Sequence, residues 1–370
     1  MLRKLLSLQF VELQDPTKYG FDLSLERCVD DFVFICMFVG NDFLPHIVHL
    51  DIADGSLNMM MNAYKDMLPS MGGYLTDKTK IHLPRLELFF AELAKYEPHY
   101  FERRANEVSG SAGGSGPPRS SSSSSAARGG ARNGNGREAP KFDKETYAQE
   151  YYAEKFGWSL EEMPEKRRGL VEDYVAGLYW VLEYYHNGCG SWDWFYPHLY
   201  APLASDLVDL APIEVTMPQG RPFTPLMQLL SVLPAASGRH LPPPYSKLMT
   251  DPMSPLASFY PPDFEVDANG KRNDWEAVVK IPFIDQDDML EVLATIDHKT
   301  ALTPQERLRN LLGEERSFHP ATSVPPSSAP AGAAAAGASE GGKKKSKPPP
   351  SKAKAPPKAK AKAENPAREV

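Results

Sequence analysis

The acid with the strongest claim to chemistry is Asp42, in the stretch DDFVFICMFVGNDFLPHIVHL, where an apolar run from Phe32 to Val39 leads straight into a Gly40-Asn41-Asp42 turn. Burying that run on all sides would aim the carboxylate into whatever space lies beyond the core. A carboxylate so placed can bind a hard divalent cation, yet two-metal hydrolysis of a phosphodiester needs several carboxylates holding ions about 4 Å apart. By itself, therefore, Asp42 reads as a turn-forming aspartate. Asp30 and Asp31 do not complete a site: on a helix Asp31 lies roughly 16 Å from Asp42 at 1.5 Å per residue, so the two serve the helix's other end. Asn41 does not titrate, and His46 and His49, just past the turn, read as hydrogen-bonded structural histidines.

Further along, SWDWFYPHLYAP over 191–202 gathers Trp192, Trp194, Phe195, Tyr196 and Tyr200 in a proline-punctuated segment too irregular for helix or strand. Such clusters generally belong to a core. Tryptophan is also a side chain that stacks on unpaired bases, worth about 1–3 kcal/mol per base, and both readings stand at this point. Asp285, Asp287 and Asp288 resemble a cation site, but a helix cap followed by a dipole-favoured acidic first turn accounts for them without a metal. No nucleophile–base pair, glycine-rich phosphate loop or Cys/His metal set accompanies them. Cys28, Cys36 and Cys189 are odd in number and at no metal spacing, as expected for free thiols in a reducing compartment.

The elements that must position these residues are mainly helical, with minor β structure. Helices are expected over 1–14, from a Ser24 cap through Val39, over 52–67 ending at Pro69, over 83–96, near 144–156, near 168–185 and over 225–232. For Phe32 to Val39 a buried strand competes with the helix, which is favoured because its spacing continues upstream to Leu25. Gly40 ends it and Pro45 prevents its resumption. Asn269-Gly270 signals a hairpin returning over Trp275 to Ile281. Asp285 caps a last long helix, and Thr303-Pro304 opens a short one to Leu312.

At 370 residues and 42% apolar the chain has room for a sizeable core, but 35 prolines leave part of it unpacked. Residues 109–140 are Gly, Ser and Arg, a solvated insertion whose arginines (Arg119, Arg128, Arg132, Arg137) could brush RNA. From 317 on the chain is Ala, Pro and Lys, an unpacked tail. Nine lysines and Arg368 against Glu364 and Glu369 make residues 341–370 +8 and leave 1–340 at −15. Such a body repels nucleic acid unless its cations cluster. No apolar run reaches the roughly 18 residues of a membrane span, so a soluble intracellular protein is expected.

The blocks DDFVFICMFVGNDFLPH, GGYLTD, YYHNGCGSWDWFYPHLYAP, QLLSVLPAAS, FYPPDF, NGK and WEAVVKIPFID, in that order, resemble the 5′→3′ exoribonuclease (Xrn) family over roughly Leu5 to Leu312. The resemblance implies a processive, Mg²⁺-dependent (or Mn²⁺-dependent) nuclease that degrades single-stranded RNA bearing a 5′ monophosphate. It implies a partial α/β nuclease domain of the flap-endonuclease superfamily type, over 1–50, followed by a largely helical region over 51–108 and 141–316. Asp42 matches the family's metal-ligating aspartate, with Gly40, Asn41 and His46 supporting its turn. Trp192 and Trp194 match tryptophans of which one stacks on an RNA base, Trp194 being slightly preferred; His198 is displaced from the usual aromatic-histidine order.

In the family the remaining acidic ligands and the 5′-phosphate pocket precede everything present here. The chain is therefore expected to be the C-terminal portion of the catalytic core, inactive alone. A separate N-terminal nuclease half is a conceivable partner, and a nonenzymatic RNA-binding or scaffold remnant is the alternative reading. LPRLELFF and WEAVVKIPFID stand nearer the cytoplasmic branch, while the lysine tail leaves the nucleus open.

Overall fold

A computed structural model describes residues 2–11, 23–111, 143–271 and 273–314. Residues 1–313 form one compact unit; of the second unit, 314–370, only Glu314 is described, so the expected tail lies outside the described residues. The same holds for 112–142, the bulk of the expected insertion.

The first core is built on α1 (Leu2–Gln9), α2 (Leu25–Ile35), α3 (Ser56–Met71), α4 (Leu83–Leu93), α5 (Glu97–Ser111), α6 (Lys144–Phe156) and α7 (Met163–Asn187). The competition between helix and strand resolves to helix: α2 tightens into a 3-10 turn over Cys36–Val39, which Gly40 ends at φ 90°. The run is not buried on every side. Phe34, Ile35, Met37 and Phe38 face the core, whereas Val33 is 45% exposed, because an α-helix turns one face outward where a buried strand need not. Ser24 holds the N-cap position without a side-chain bond; its N–H donates to Tyr74 Oη instead, at 2.6 Å. The described residues of 1–50 contain no strand, and Phe10, Phe34 and Phe38 share one apolar core with residues as distant as Leu210.

Several expected boundaries moved, among them both ends of α3. Asp51 caps a short 3-10 turn, Ile52–Asp54, before α3 begins at Ser56, and α3 runs through Pro69 to Met71. A proline in the final turn forfeits one intrahelical bond, and here the left-handed Gly72, at φ 66°, ends the helix instead. Arg85 then donates to the Met71, Gly72 and Tyr74 carbonyls at 3.0–3.1 Å. The chain continues into a two-residue hairpin, β1 (Thr76–Asp77) against β2 (Lys80–Ile81), turned at a left-handed Lys78. Pro98 does not close the helical run, since it sits in the first turn of α5. In α7 the apolar stripe expected at Val171, Tyr174, Val175, Leu178, Val181, Leu182 and Tyr185 is buried from Val171 to Leu182, but Tyr185 is 57% exposed where the helix outruns the core.

A second, smaller core gathers Leu226, Leu230, Tyr245, Met249, Met289 and Leu293. It comes from α8 (Pro225–Val232), α9 (Pro243–Thr250), the antiparallel pair β3 (Glu265–Asp267) and β4 (Val278–Lys280), α10 (Gln286–Ala294), α11 (His298–Ala301) and α12 (Pro304–Arg309). Asn269 and Gly270 do turn the chain, at φ 46° and 81°, but the return strand starts at Val278, beyond a short 3-10 segment. Asp285 caps α10 by accepting from Asp288 N at 3.0 Å, and Thr303 and Glu306 complete a capping box on α12. The three carboxylates at 285–288 thus have the structural role expected of them. No helix among the described residues is long and apolar enough to cross a membrane.

Candidate nucleic-acid interface around Asp42

The Asp42 turn is made by its neighbours. Asn41 Oδ1 accepts from Phe43 N and Leu44 N, both at 2.9 Å, while Asn41 N donates to Leu44 O at 3.0 Å. Gly40 is required twice: its φ lies in the left-handed range, and a Cβ there would stand 3.1 Å from His46 N. His46 thus buttresses the turn, and burial pushes its imidazole down to about 4, with Lys271 adding and Asp51 opposing. It is neutral at physiological pH. Asp42 itself is exposed, and its carboxylate makes no hydrogen bond among the described residues.

Rings join this turn to the aromatic segment. Phe43 packs on Trp180 at 4.9 Å, and Trp180 stacks on Trp194 at 5.7 Å and 29°. Gly177 of α7 makes room for Leu44 and Trp194: a Cβ there would collide with Leu44 Cδ2 at 2.4 Å and approach the Trp194 ring at 3.1 Å. Trp194 is therefore partly buried, and its N–H donates to Ser191 Oγ at 3.2 Å. The cluster divides: Tyr196 and Tyr200 belong to the core, while Trp192, 50% exposed, and Phe195, 49% exposed, face solvent. Trp192, Trp194, Phe195, Phe223 and Phe283 line a cleft of about 340 Å³. His198 is occupied by Asp173, Nε2 to Oδ2 at 2.7 Å.

Two other acids are buried: Asp31, expected to serve a helix end, and Glu97, to which sequence reasoning gave no role. Asp31 has no exposed surface and accepts from Tyr64 Oη, Leu75 N, Thr76 N and Thr76 Oγ1 at 2.6–2.8 Å, so it grips the first hairpin rather than serving a helix end. Burial pushes its carboxyl up, against the pull of those four donors. Glu97 accepts from Ser205 N at 3.1 Å and Tyr147 Oη at 3.3 Å, and burial pushes it up to about 7. His49 Nδ1 lies 3.9 Å from it, but burial holds that imidazole down to about 4. At that separation an ion pair is geometrically open; the desolvation of both partners favours two neutral groups instead.

A divalent cation does not fit this residue set alone. Asp42 offers one carboxylate, and among the described residues no three His, Cys, Asp or Glu side chains are grouped to hold a metal. The free thiols agree with expectation: Cys28 is buried and pushed up to about 12 by burial, with Cys36 and Cys189 part-buried.

With this geometry in hand, comparison with known proteins is decisive: the model of the Xrn1 helical domain matches residues 22–115 and 117–324. The chain belongs to the Xrn1 helical domain family. It is 36% identical to 5′-3′ exoribonuclease 2 of Arabidopsis thaliana over 371 aligned residues, covering 79% of this chain and 36% of that protein. For 5′-3′ exoribonuclease 2 of Gallus gallus the identity is 34%, covering 80% and 38%. For 5′-3′ exoribonuclease 1 of Homo sapiens it is 32%, covering 84% and 20%. The chain thus spans about a fifth to two fifths of the length of these curated relatives. Within the Xrn1 helical domain matched here, two blocks that carried the resemblance bind each other directly, and two more tie to acids next to the blocks. The GGYLTD backbone feeds Asp31, Lys271 of NGK pairs with Asp51 beside His46, and Tyr200 donates to Asp267 at 2.6 Å. Sequence reasoning missed Gly177, Phe43 and Trp180; an isolated glycine inside the α7 stripe was the one signal that something packs closely there.

Proposed function

We propose that this chain is part of a processive 5′→3′ exoribonuclease acting on 5′-monophosphorylated single-stranded RNA. Asp42 is one ligand of a Mg²⁺ (or Mn²⁺) site whose other ligands come from outside the described residues, and a base of the RNA stacks on the aromatic segment. The observation that carries this is the ring path Phe43–Trp180–Trp194, which ties the Asp42 turn to an open aromatic cleft. When bound, the cation would neutralise charge on the phosphate. This chain's own contribution is to hold Asp42 on a rigid turn and to supply stacking surface. Exposure favours Trp192 as the side chain that meets the base, with Trp194 supporting it. Residues 1–50 close the nuclease domain on this reading, and the enzyme works in the cytoplasm.

The lone carboxylate favours a second reading, a nonenzymatic RNA-binding remnant that keeps the fold. The test is to graft this chain in place of the matched region of an active relative and follow decay of a 5′-monophosphorylated RNA. The graft is expected to be active, and Asp42→Ala to abolish cleavage while leaving RNA affinity within about twofold, as for an interaction made only with the reacting group. Full activity of the Asp42→Ala graft would sink the ligand assignment. An inactive graft that still binds RNA would favour the remnant.

A further inference from the structure

Two clefts share the ridge of Ser231, Pro282 and Ile284. One is the aromatic cleft already described. The other, about 220 Å³, is walled by Val232, Pro234, Tyr260, Pro261, Phe264 and Pro282, and no charged side chain lines it. Val232 is 61% exposed and Phe264 47%, and on the adjoining hairpin Val266 and Val279 stand 55% and 42% exposed. Apolar surface left open in this density marks a binding face more often than idle surface.

The rim selects the occupant. Residues 261–290 contain eight carboxylates against three cations, and of the cations Lys271 is held by Asp51 and Lys280 by Glu265. Asp263 and Glu265 flank Phe264, and Asp285 follows Ile284 with Asp287 and Asp288 one turn on. Such a rim repels a phosphate backbone and attracts a basic chain. The walls are proline and aromatic rings, the lining that accepts a polyproline II helix, whose extended form costs little to order. We propose that this cleft docks a basic, proline-rich segment of a partner protein, its prolines against Val232, Tyr260 and Phe264 and its cations over Asp263 and Asp285 to Asp288.

The probe is a fluorescein-labelled peptide of alternating Lys and Pro-Pro units, titrated into the full chain and followed by anisotropy. Saturable binding is expected, weakened at least about tenfold by Phe264→Glu and by Val232→Glu, as for loss of a central anchor. It should weaken about threefold or more when salt is raised into the range where the Debye length falls to about 3 Å. Asp263→Lys combined with Asp287→Lys should weaken it as well, and a Glu/Pro-Pro peptide should not bind. Both anchor residues are solvent-facing, so thermal melting of the variants checks that the fold is intact. Absence of peptide binding, or binding that both anchor variants leave unchanged, overturns the proposal. So does an oligo(U) RNA that binds and is lost in Phe264→Glu, which would make the face a nucleic-acid surface. Self-association of the chain that Val232→Glu abolishes would overturn it too, since a second copy would then be the occupant.

Discussion

Asp31 and Asp42 lie on the same stretch, eleven residues apart, and the fold uses them in opposite ways. Asp31 has no surface and four donors, and burial pushes its carboxyl up. Asp42 stands exposed on a turn that Asn41, Gly40 and His46 build for it. Carboxyls pushed up by burial are a usual guide to active sites; among the described residues these are Asp31 and Glu97, both of which are cross-links of the core. The lesson is that in this fold a carboxyl pushed up by burial marks where chain segments are tied together. The candidate for chemistry is held by backbone geometry around an acid left open.

The largest effect that would break this contrast is on stability. Asp31→Ala strands the Tyr64 hydroxyl and the Leu75 and Thr76 N–H groups without their partner, and each buried unpaired donor costs about 1–3 kcal/mol. The expected loss is about 3 kcal/mol or more, read from urea unfolding. Asp42→Ala should stay within about 0.5 kcal/mol of the parent, as exposed substitutions do. Similar losses for the two would erase the distinction.

Next in size is the pH response of the second buried acid. Folded Glu97 sits at about 7 against an ordinary 4.5, so alone it lowers stability as pH rises from 4.5 to 7: the folded protein keeps a proton the unfolded chain has released. Folded His49 sits at about 4 against 6.5, so alone it lowers stability as pH falls from 6.5 to 4. Between 4.5 and 6.5 the pair carries one proton in either state, on Glu97 when folded and on His49 when unfolded, and the slopes cancel. His49 Nε2–H donates to Leu93 O at 3.1 Å, which leaves Nδ1 as an acceptor turned towards Glu97. His49→Phe should therefore lose stability on going from pH 5 to 7, and Glu97→Gln on going from pH 6.5 to 4. Each slope approaches about 1.4 kcal/mol per pH unit. Urea midpoints across this range check it, and two variants with slopes of the same sign would refute the opposed pair.

Local signals fixed much of this fold in advance. Asp143, whose carboxylate accepts from Thr146 N, and Gly157 bound the α6 helix at the expected residues, and Pro225 opens α8 where its fixed φ suits a first turn. The failures are long-range. Lys78 carries no turn signal, yet the hairpin around it forms because Asp31, 45 residues from Thr76, supplies an acceptor. Pro69 looked terminal because nothing local announced Arg85 gathering the carbonyls beyond it. The Gly40-Asn41-Asp42 turn was legible since its hydrogen bonds span only a few residues. The seam to Trp194 was not, because Gly177 shows that space is needed without saying which side chains fill it.

The smallest effect sharpens the contrast between open and tied groups within the aromatic segment. Trp194 is wedged over Gly177 and against Trp180, so Trp194→Ala opens a cavity and should lower stability by about 2–3 kcal/mol, somewhat less than a fully buried tryptophan. Trp192 has half its surface in water, and Trp192→Ala should leave the unfolding midpoint nearly unchanged. If Trp192 is the stacking side chain, its loss weakens binding of a fluorescent oligo(U) by about tenfold, within the range of a single base stack. Trp194→Phe keeps a ring over Gly177 and should retain most of that affinity. Equal losses of affinity in Trp192→Ala and Trp194→Phe would assign stacking to both rings, and a loss in Trp194→Phe alone would return Trp192 to the role of mere rim.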